Sequence, residues 1–424
     1  MSVTPPADKD SSRAPGASPV VVMKFGGTSV ATPDGRRALA DRVRGAIDAG
    51  RRPVVVVSAM GRAGAPYATD TLLGLVAGCE DPYSRDLIAS VGELVSSVVV
   101  AHELTCAGVA AKPFSGSDAG ILTDGSVGSA QIDAIYPKAL IDALEEGIVP
   151  VVAGFQGIGP DGRVTTLGRG GSDTTACALG IALSAVEVEI YTDVDGVMTA
   201  DPRVCEEAGV IERLGAEELF QMARHGSRVV HTPAAELAAA SGIDLRVRNT
   251  FSDADGTLVA SDIAGSRARS VATAVSHTAG VVRFEVALPC GDDGCSTPAQ
   301  ARVYEAMAAR HVSLDMFTPF SGSLAFSVRD EDAPDAAAVL DALGLTSSRT
   351  PALAKVTLVG AGMHGVPGVM ARIADALAAA SIDVLQTADS HSTISVLVPE
   401  QRAADAVGAL HEAFGLAGLP STPE

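Results

Sequence analysis

Apolar and polar positions along the chain follow two regimes. In the first, short apolar runs alternate with amphipathic stretches. The run Val20-Val21-Val22-Met23-Lys24-Phe25 predicts a strand, and residues 53–57, 148–153 and 186–191 predict three more. Each run ends in glycines or small polar residues. Pro150 lies near the start of its run, where a strand tolerates it best. Helical stretches lie between the runs, among them residues 38–49 and 172–183. Short buried strands separated by helices predict an α/β domain with a mainly parallel sheet over residues 20–265.

The second regime starts near residue 270. Residues 355–360 read as a strand and 367–380 as a helix, with Val369, Ile373 and Leu377 on one face. Residues 382–386 and 393–398 read as strands and 401–414 as a helix. This β-α-β-β-α order is that of a ferredoxin-like module. An earlier stretch repeats it, with a strand at 281–288, a helix at 298–310, and strands at 312–317 and 324–328. Two small α+β modules are therefore expected, at 270–350 and 351–424. Residues 1–19, rich in Pro, Ser and Ala, read as a disordered tail without the apolar core of a secretory leader.

Composition narrows the function classes. The chain has 424 residues, a net charge of -20 and a mean hydropathy of +0.28. So acidic a chain is a poor partner for nucleic acid or anionic membranes, and no apolar run is long enough for a bilayer span. Six cysteines are scattered without a CxxC pair. They read as reduced, packed thiols in a cytoplasmic protein rather than a zinc site or a disulfide framework.

Four segments could carry chemistry. Lys24-Phe25-Gly26-Gly27-Thr28-Ser29 follows a strand. Glycines there let backbone N–H groups approach a phosphate beside an ammonium, although a structural turn explains the pair equally well. The lysine precedes the glycines, unlike the order in a Walker A loop. Residues 166–175, Thr-Leu-Gly-Arg-Gly-Gly-Ser-Asp-Thr-Thr, open a helix. Arg169 there offers a fork for carboxylate or phosphate, and Ser172 or Asp173 could cap the helix. Residues 191–198, Tyr-Thr-Asp-Val-Asp-Gly-Val-Met, follow a buried strand, where parallel sheets bind ligands; an Asp-Gly turn is the plainer reading. Ser90-Val91-Gly92-Glu93 sets a carboxylate on an apolar helix, either partnered with an amine or simply exposed.

Taken together and in this order, these segments resemble the aspartate kinase family of the amino-acid-kinase superfamily. Ser58-Ala59-Met60-Gly61, residues 66–70 (Pro-Tyr-Ala-Thr-Asp), residues 154–157 (Gly-Phe-Gln-Gly) and the run on to Asp201-Pro202-Arg203 add to the likeness, which spans residues 20–415. The two C-terminal modules resemble paired ACT domains, and residues 365–398 resemble those of diaminopimelate-sensitive members. The resemblance implies an ATP-dependent kinase acting on the β-carboxylate of L-aspartate, with Mg²⁺ bound through the ATP phosphates and no protein metal ligand. It implies that Lys24 contacts the transferring phosphoryl group and that Gly26, Gly27, Thr28 and Ser29 lie under the phosphates. Thr69, Glu93, Phe155, Arg169, Ser172 and Asp173 match aspartate-site positions, with Arg169 on the α-carboxylate. Thr192, Asp193, Met198, Arg203 and Arg228 match nucleotide-site positions.

Arg228 stands where the family usually has lysine, and Met198 where relatives often have tyrosine. The paired modules imply a homodimer or larger homo-oligomer with an allosteric amino acid site for meso-diaminopimelate, lysine or threonine. The second module keeps Met363, Pro367, Gly368 and Gln386 for it. The first has Gly291-Asp292-Asp293-Gly294-Cys295 instead of the commoner Pro-Gly entry. His225 and His231 read as structural. Two other readings stay open: a kinase of the same superfamily with a different acceptor, and a non-catalytic amino-acid sensor on a kinase scaffold.

Overall fold

The computed structural model describes residues 18–227, 229–260, 271–289, 297–363 and 365–418. The tail expected at 1–19 falls almost wholly outside them, as do Arg228 and residues 291–295. The described chain divides into two compact units. The first comprises 18–197, 210–223 and 229–260, and the second 198–209, 224–227 and 271–418.

In the first unit an eight-stranded sheet runs in the order Arg213–Gly215, Thr257–Ala260, Leu245–Asn249, Glu187–Thr192, Val20–Phe25, Arg52–Val57, Val149–Ala153, Ala111–Phe114. Every neighbouring pair is parallel except Leu245–Asn249 with Thr257–Ala260. Val20–Phe25 is central and buried on both faces. Its odd positions, Val21, Met23 and Phe25, share one core with Leu39 and Val43 of the helix Pro33–Asp48. That helix starts earlier than the apolar period suggests because Thr32 caps it, its hydroxyl accepting from Gly35 N–H at 3.1 Å, with Pro33 in the first turn.

A second sheet of four short strands, Ile132–Ile135, Ile121–Thr123, Gln156–Ile158 and Val164–Thr166, forms alongside. Beside it runs the 25-residue helix Pro82–Cys106. By length and composition alone this helix could cross a membrane, but half of its apolar window is buried within the protein. Its buried positions include the carboxylates of Asp86 and Glu93.

The second unit is one six-stranded antiparallel sheet, in the order Asp315–Phe320, Ser323–Arg329, Ala274–Ala287, Ser347–Val359, Thr393–Pro399, Gln386–Asp389. It carries two helix-covered lobes. The core of one takes Val282, Phe284, Val303, Met307, Phe326 and Leu340. The other core takes Val356, Ile373, Leu377, Val396 and Leu410, together with Ala272 and Val275 from upstream. The two long strands Ala274–Ala287 and Ser347–Val359 run through both lobes, so the lobes are nested in the chain rather than consecutive.

Two strands differ from expectation in the same way. Residues 312–317 and 382–386 were expected as strands, but pairing starts at Asp315 and Gln386. In each lobe the helix ends on a left-handed residue, His311 (φ 57°) or Ser381 (φ 54°), and the next residue, Val312 or Ile382, plugs the core. The apolar residue that looks like a strand start is thus spent on the helix exit. This shared detail strengthens the internal repeat.

Candidate active site

The carboxyl ends of the central parallel strands open onto a cleft of about 720 Å³. Lys24 reaches it from the strand Val20–Phe25. Its Nζ lies 2.6 Å from Asp173 Oδ1, and both side chains are largely buried. Asp173 sits in the first turn of the helix Gly171–Ala182, where the N-terminal end of the helix dipole favours an acid. Its other oxygen accepts from His231 N–H at 3.4 Å. The carboxylate therefore holds the ammonium at the cleft.

Gly27 lines the cleft at the start of the short helix Gly27–Ala31. A Cβ there would lie 2.6 Å from the carbonyls of both Ala59 and Gly61, so this close approach requires glycine. Gly26 and Thr28 flank it. Ser29 departs from the expected phosphate loop. Its hydroxyl bonds Thr250 Oγ1 at 2.7 Å inside the protein and its N–H closes on Gly26 O, because the chain has already turned into the helix.

Glu93 enters from the helix Pro82–Cys106 and is 3% exposed. Its Oε1 accepts from Ala59 N–H at 3.1 Å, while the buried Oε2 has no hydrogen-bond partner. Burial pushes its pKa up to about 8, against the opposing pull of the Ala59 N–H and of Lys24. A buried acceptor left bare costs about 1–3 kcal/mol, so this oxygen is a site for a donor, above all a cation.

Thr69, Phe155, Arg169 and Ser172 also line the cleft. Phe155 takes a left-handed conformation (φ 70°), fixed by its N–H on Thr175 Oγ1 at 3.1 Å. Arg169 stands between Gly168 and Gly170, both at φ 74°. It is exposed to the cleft and forms no ion pair among the described residues. Free guanidinium and bare carboxylate thus face the same space, together with the Lys24–Asp173 pair.

The described nucleotide positions expected further along are not among the residues that line the cleft. Thr192 ends the strand Glu187–Thr192 and Asp193 follows it, both outside the cleft lining, and Asp193 pairs with Arg62, itself a lining residue, at 2.7 Å. Met198 and Arg203 belong to the second unit, where Ala200 and Cys205 of the same segment enter a core. The Arg203 guanidinium is held by Asp201 at 2.7 and 3.0 Å. Arg228 lies outside the described residues. In the second unit Met363 is buried in a core and Pro367 and Gly368 are exposed ahead of the helix Val369–Ala379. Gln386 is separate from them, bonded to Met316 O, Thr318 Oγ1 and Arg283.

Among the charged lining residues, Arg62, Arg85 and Asp86 escaped the sequence reading, and His231, read there as structural, lines the cleft as well. Asp86 is 3% exposed and accepts three hydrogen bonds from two other segments. Its position seven residues before Glu93, on the same helix face, was the available signal.

Residues 19–249 match the amino acid kinase family, and residues 348–412 match the ACT domain. Aspartokinase 1 of Bacillus subtilis is 41% identical over 404 residues, covering 94% of this chain and 99% of that protein. The aspartokinase of Mycolicibacterium smegmatis is 38% identical over 418 residues, covering 94% and 97%. The structure of Escherichia coli aspartokinase III in complex with aspartate and ADP, described as its R-state, superposes with a TM-score of 0.77 at 27% identity. It covers 93% of this chain and all of its own. The same enzyme in complex with lysine and aspartate, its T-state, gives 0.71 at 27% identity, covering 93% and 99%. With both domain families matched, and relatives this similar over nearly their whole length, the chain belongs to the aspartokinase family.

Proposed function

We propose that this chain transfers the γ-phosphoryl group of ATP to the β-carboxylate of L-aspartate, giving 4-phospho-L-aspartate. The observation that carries the reading is the cleft itself, in which a bare buried carboxylate, a free guanidinium and a held lysine face one another. Glu93 and Arg169 take the α-ammonium and α-carboxylate of aspartate, with Thr69, Phe155 and Ser172 shaping the pocket. The β-carboxylate is the nucleophile and is already ionised at neutral pH, so it needs no base. The obstacle is repulsion between carboxylate and triphosphate, so catalysis is positioning and charge neutralisation. Lys24 supplies positive charge where the γ-phosphoryl moves, and Asp173 keeps it there. Lys24 and Arg62 with the backbone at Gly27 and Gly61 fit a polyphosphate. Mg²⁺ bound to that polyphosphate adds neutralising charge and needs no carboxylate of the protein.

The relatives support an effector amino acid acting through the second unit, and the lysine complex of the E. coli enzyme favours one bearing a second ammonium. Met363, Pro367, Gly368 and Gln386 are the positions assigned to it here. Exposed Phe317 and Phe320 on the edge strand Asp315–Phe320 support a homodimer. The free buried thiols Cys177 and Cys205 fit a reducing, cytoplasmic setting.

Glu93 gives the site a proton linkage that tests the reading. Its folded-state pKa lies near 8, above the ordinary 4.5. The folded protein therefore keeps a proton that the unfolded chain loses, and Glu93 lowers stability as pH climbs from about 4.5 to about 8. An ammonium beside it favours the carboxylate. Aspartate binding at pH 7 is thus expected to release close to one proton, and affinity is expected to rise with pH until about 8. Calorimetry in two buffers of different ionisation enthalpy measures this release. Glu93→Gln is expected to abolish it. Binding of wild-type protein with no proton released, or equal affinity for L-glutamate, would count against an aspartate site.

A further inference from the structure

We infer that Asp86 is the positioning residue that sets the spacing between the two groups holding the amino-acid head group; this rests on reading Arg169 and Glu93 as those groups. Asp86 is buried on the helix Pro82–Cys106 and has no ion pair among the described residues. Its oxygens are instead filled by N–H and O–H donors of two other segments. Oδ2 accepts from Gly128 N–H at 2.9 Å and Thr166 N–H at 2.8 Å, and Oδ1 accepts from the Thr166 hydroxyl at 2.9 Å. A carboxylate spent on three neutral donors is a clamp, and an ionised acceptor makes each bond stronger than a neutral one would.

What the clamp holds is the approach to Arg169. Thr166 is fully engaged, since its carbonyl also accepts from Ala130 N–H at 2.9 Å. Leu167 N–H bonds Phe155 O at 2.9 Å and Gly171 N–H bonds Gly168 O at 3.0 Å. Arg169 thus projects from a short arch whose near foot is Thr166. Between its feet the arch bends through two left-handed glycines, which have little stiffness of their own. The foot must therefore be fixed from outside, and Asp86 fixes it.

The helix that bears Asp86 also bears Glu93, seven residues on. Seven residues are close to two turns, so both carboxylates lie on one face about 10 Å apart along the axis. Between them the Ser90 carbonyl accepts from buried Gln156 Nε2 at 2.9 Å, tying in the residue after Phe155. One helix therefore carries the ammonium site directly and the carboxylate site through Asp86, as a ruler with both marks on one rod. An α-amino acid has its ammonium and carboxylate on a single carbon, so the fit depends on this spacing.

The test uses steady-state kinetics on the full chain. Asp86→Leu keeps the branching at Cγ, in a bulkier side chain, and removes the acceptors. It is expected to raise KM for aspartate by about 30-fold, as a misplaced binding group does, with kcat at saturating aspartate and KM for ATP within about threefold. Asp86→Asn, whose oxygen can take both N–H groups while its amide donates to the hydroxyl, is expected to restore most of the loss. Because Asp86 acts through Arg169, Asp86→Leu added to Arg169→Ala is expected to raise KM no further. Thr166→Val removes one bond only and gives a smaller rise in the same constant, which serves if Asp86→Leu does not fold. Additive effects in the double variant, equal damage to aspartate and ATP constants, or unchanged KM in the Thr166 variant would overturn the inference. If Arg169→Ala by itself leaves KM for aspartate unchanged, the head-group reading fails instead.

Discussion

Lys24→Ala is expected to cut kcat by about 10²–10³-fold, the loss seen when a preorganised group facing transition-state charge is removed. KM for aspartate should move by only a few-fold. The asymmetry follows from the geometry. The Lys24 ammonium is held by Asp173 on a central, fully paired strand, so its position costs no reorganisation during the reaction. In the proposed arrangement the aspartate head group is met elsewhere, by Glu93 and Arg169. Removing Lys24 also leaves Asp173 as an unpaired buried carboxylate, which repels the triphosphate. Asp173→Asn is therefore the informative companion. It keeps the shape and frees the lysine, and should cost less than Lys24→Ala. Turnover of Lys24→Ala within a few-fold of wild type would remove Lys24 from the chemistry.

The second large effect is expected at Arg169. Arg169→Ala should raise KM for aspartate by roughly 100-fold, the scale of a charge-assisted bidentate contact, with kcat at saturation little changed. Arg169→Lys keeps the charge but loses the fork, and should recover only part of the loss. The guanidinium is available for this contact because no carboxylate among the described residues claims it. Its neighbours Gly168 and Gly170 hold it out from the helix Gly171–Ala182. Full steady-state kinetics with aspartate varied would show it. A fall in kcat at unchanged KM would instead put Arg169 on the transferring phosphoryl group.

The parts of this protein that were legible in its sequence are those with strong local signals. Val20–Phe25 and the strand of residues 149–153 announce themselves because both faces are buried. Glycines 26, 27, 168, 170 and 171 mark the turns of the cleft for the same local reason. The sheet containing Ile121–Thr123 and Val164–Thr166 was not legible. Its strands are three or four residues long and lie among glycines and acids, so no period develops.

Asp86 was missed because a carboxylate in helical sequence reads as solvent-facing. Only the distant donors at Gly128 and Thr166 reveal it as buried. Met198 and Arg203 were assigned to the nucleotide by the family resemblance alone, with no local pattern of their own to place them. Chain continuity does not fix packing, and Ala200 and Cys205 take that segment into another core. The contacts of Gln386 were not legible either, since its amide reaches Met316 and Thr318 of the strand Asp315–Phe320, some seventy positions earlier in the chain.

The most direct test of the central claim is turnover with trapping of the product. The protein is incubated with Mg·ATP, L-aspartate and hydroxylamine, with L-glutamate as control. An acyl phosphate on the β-carboxylate reacts to give the aspartate β-hydroxamate in step with ADP release, and this is the predicted result. ADP release without hydroxamate, or equal hydroxamate from glutamate, would contradict it.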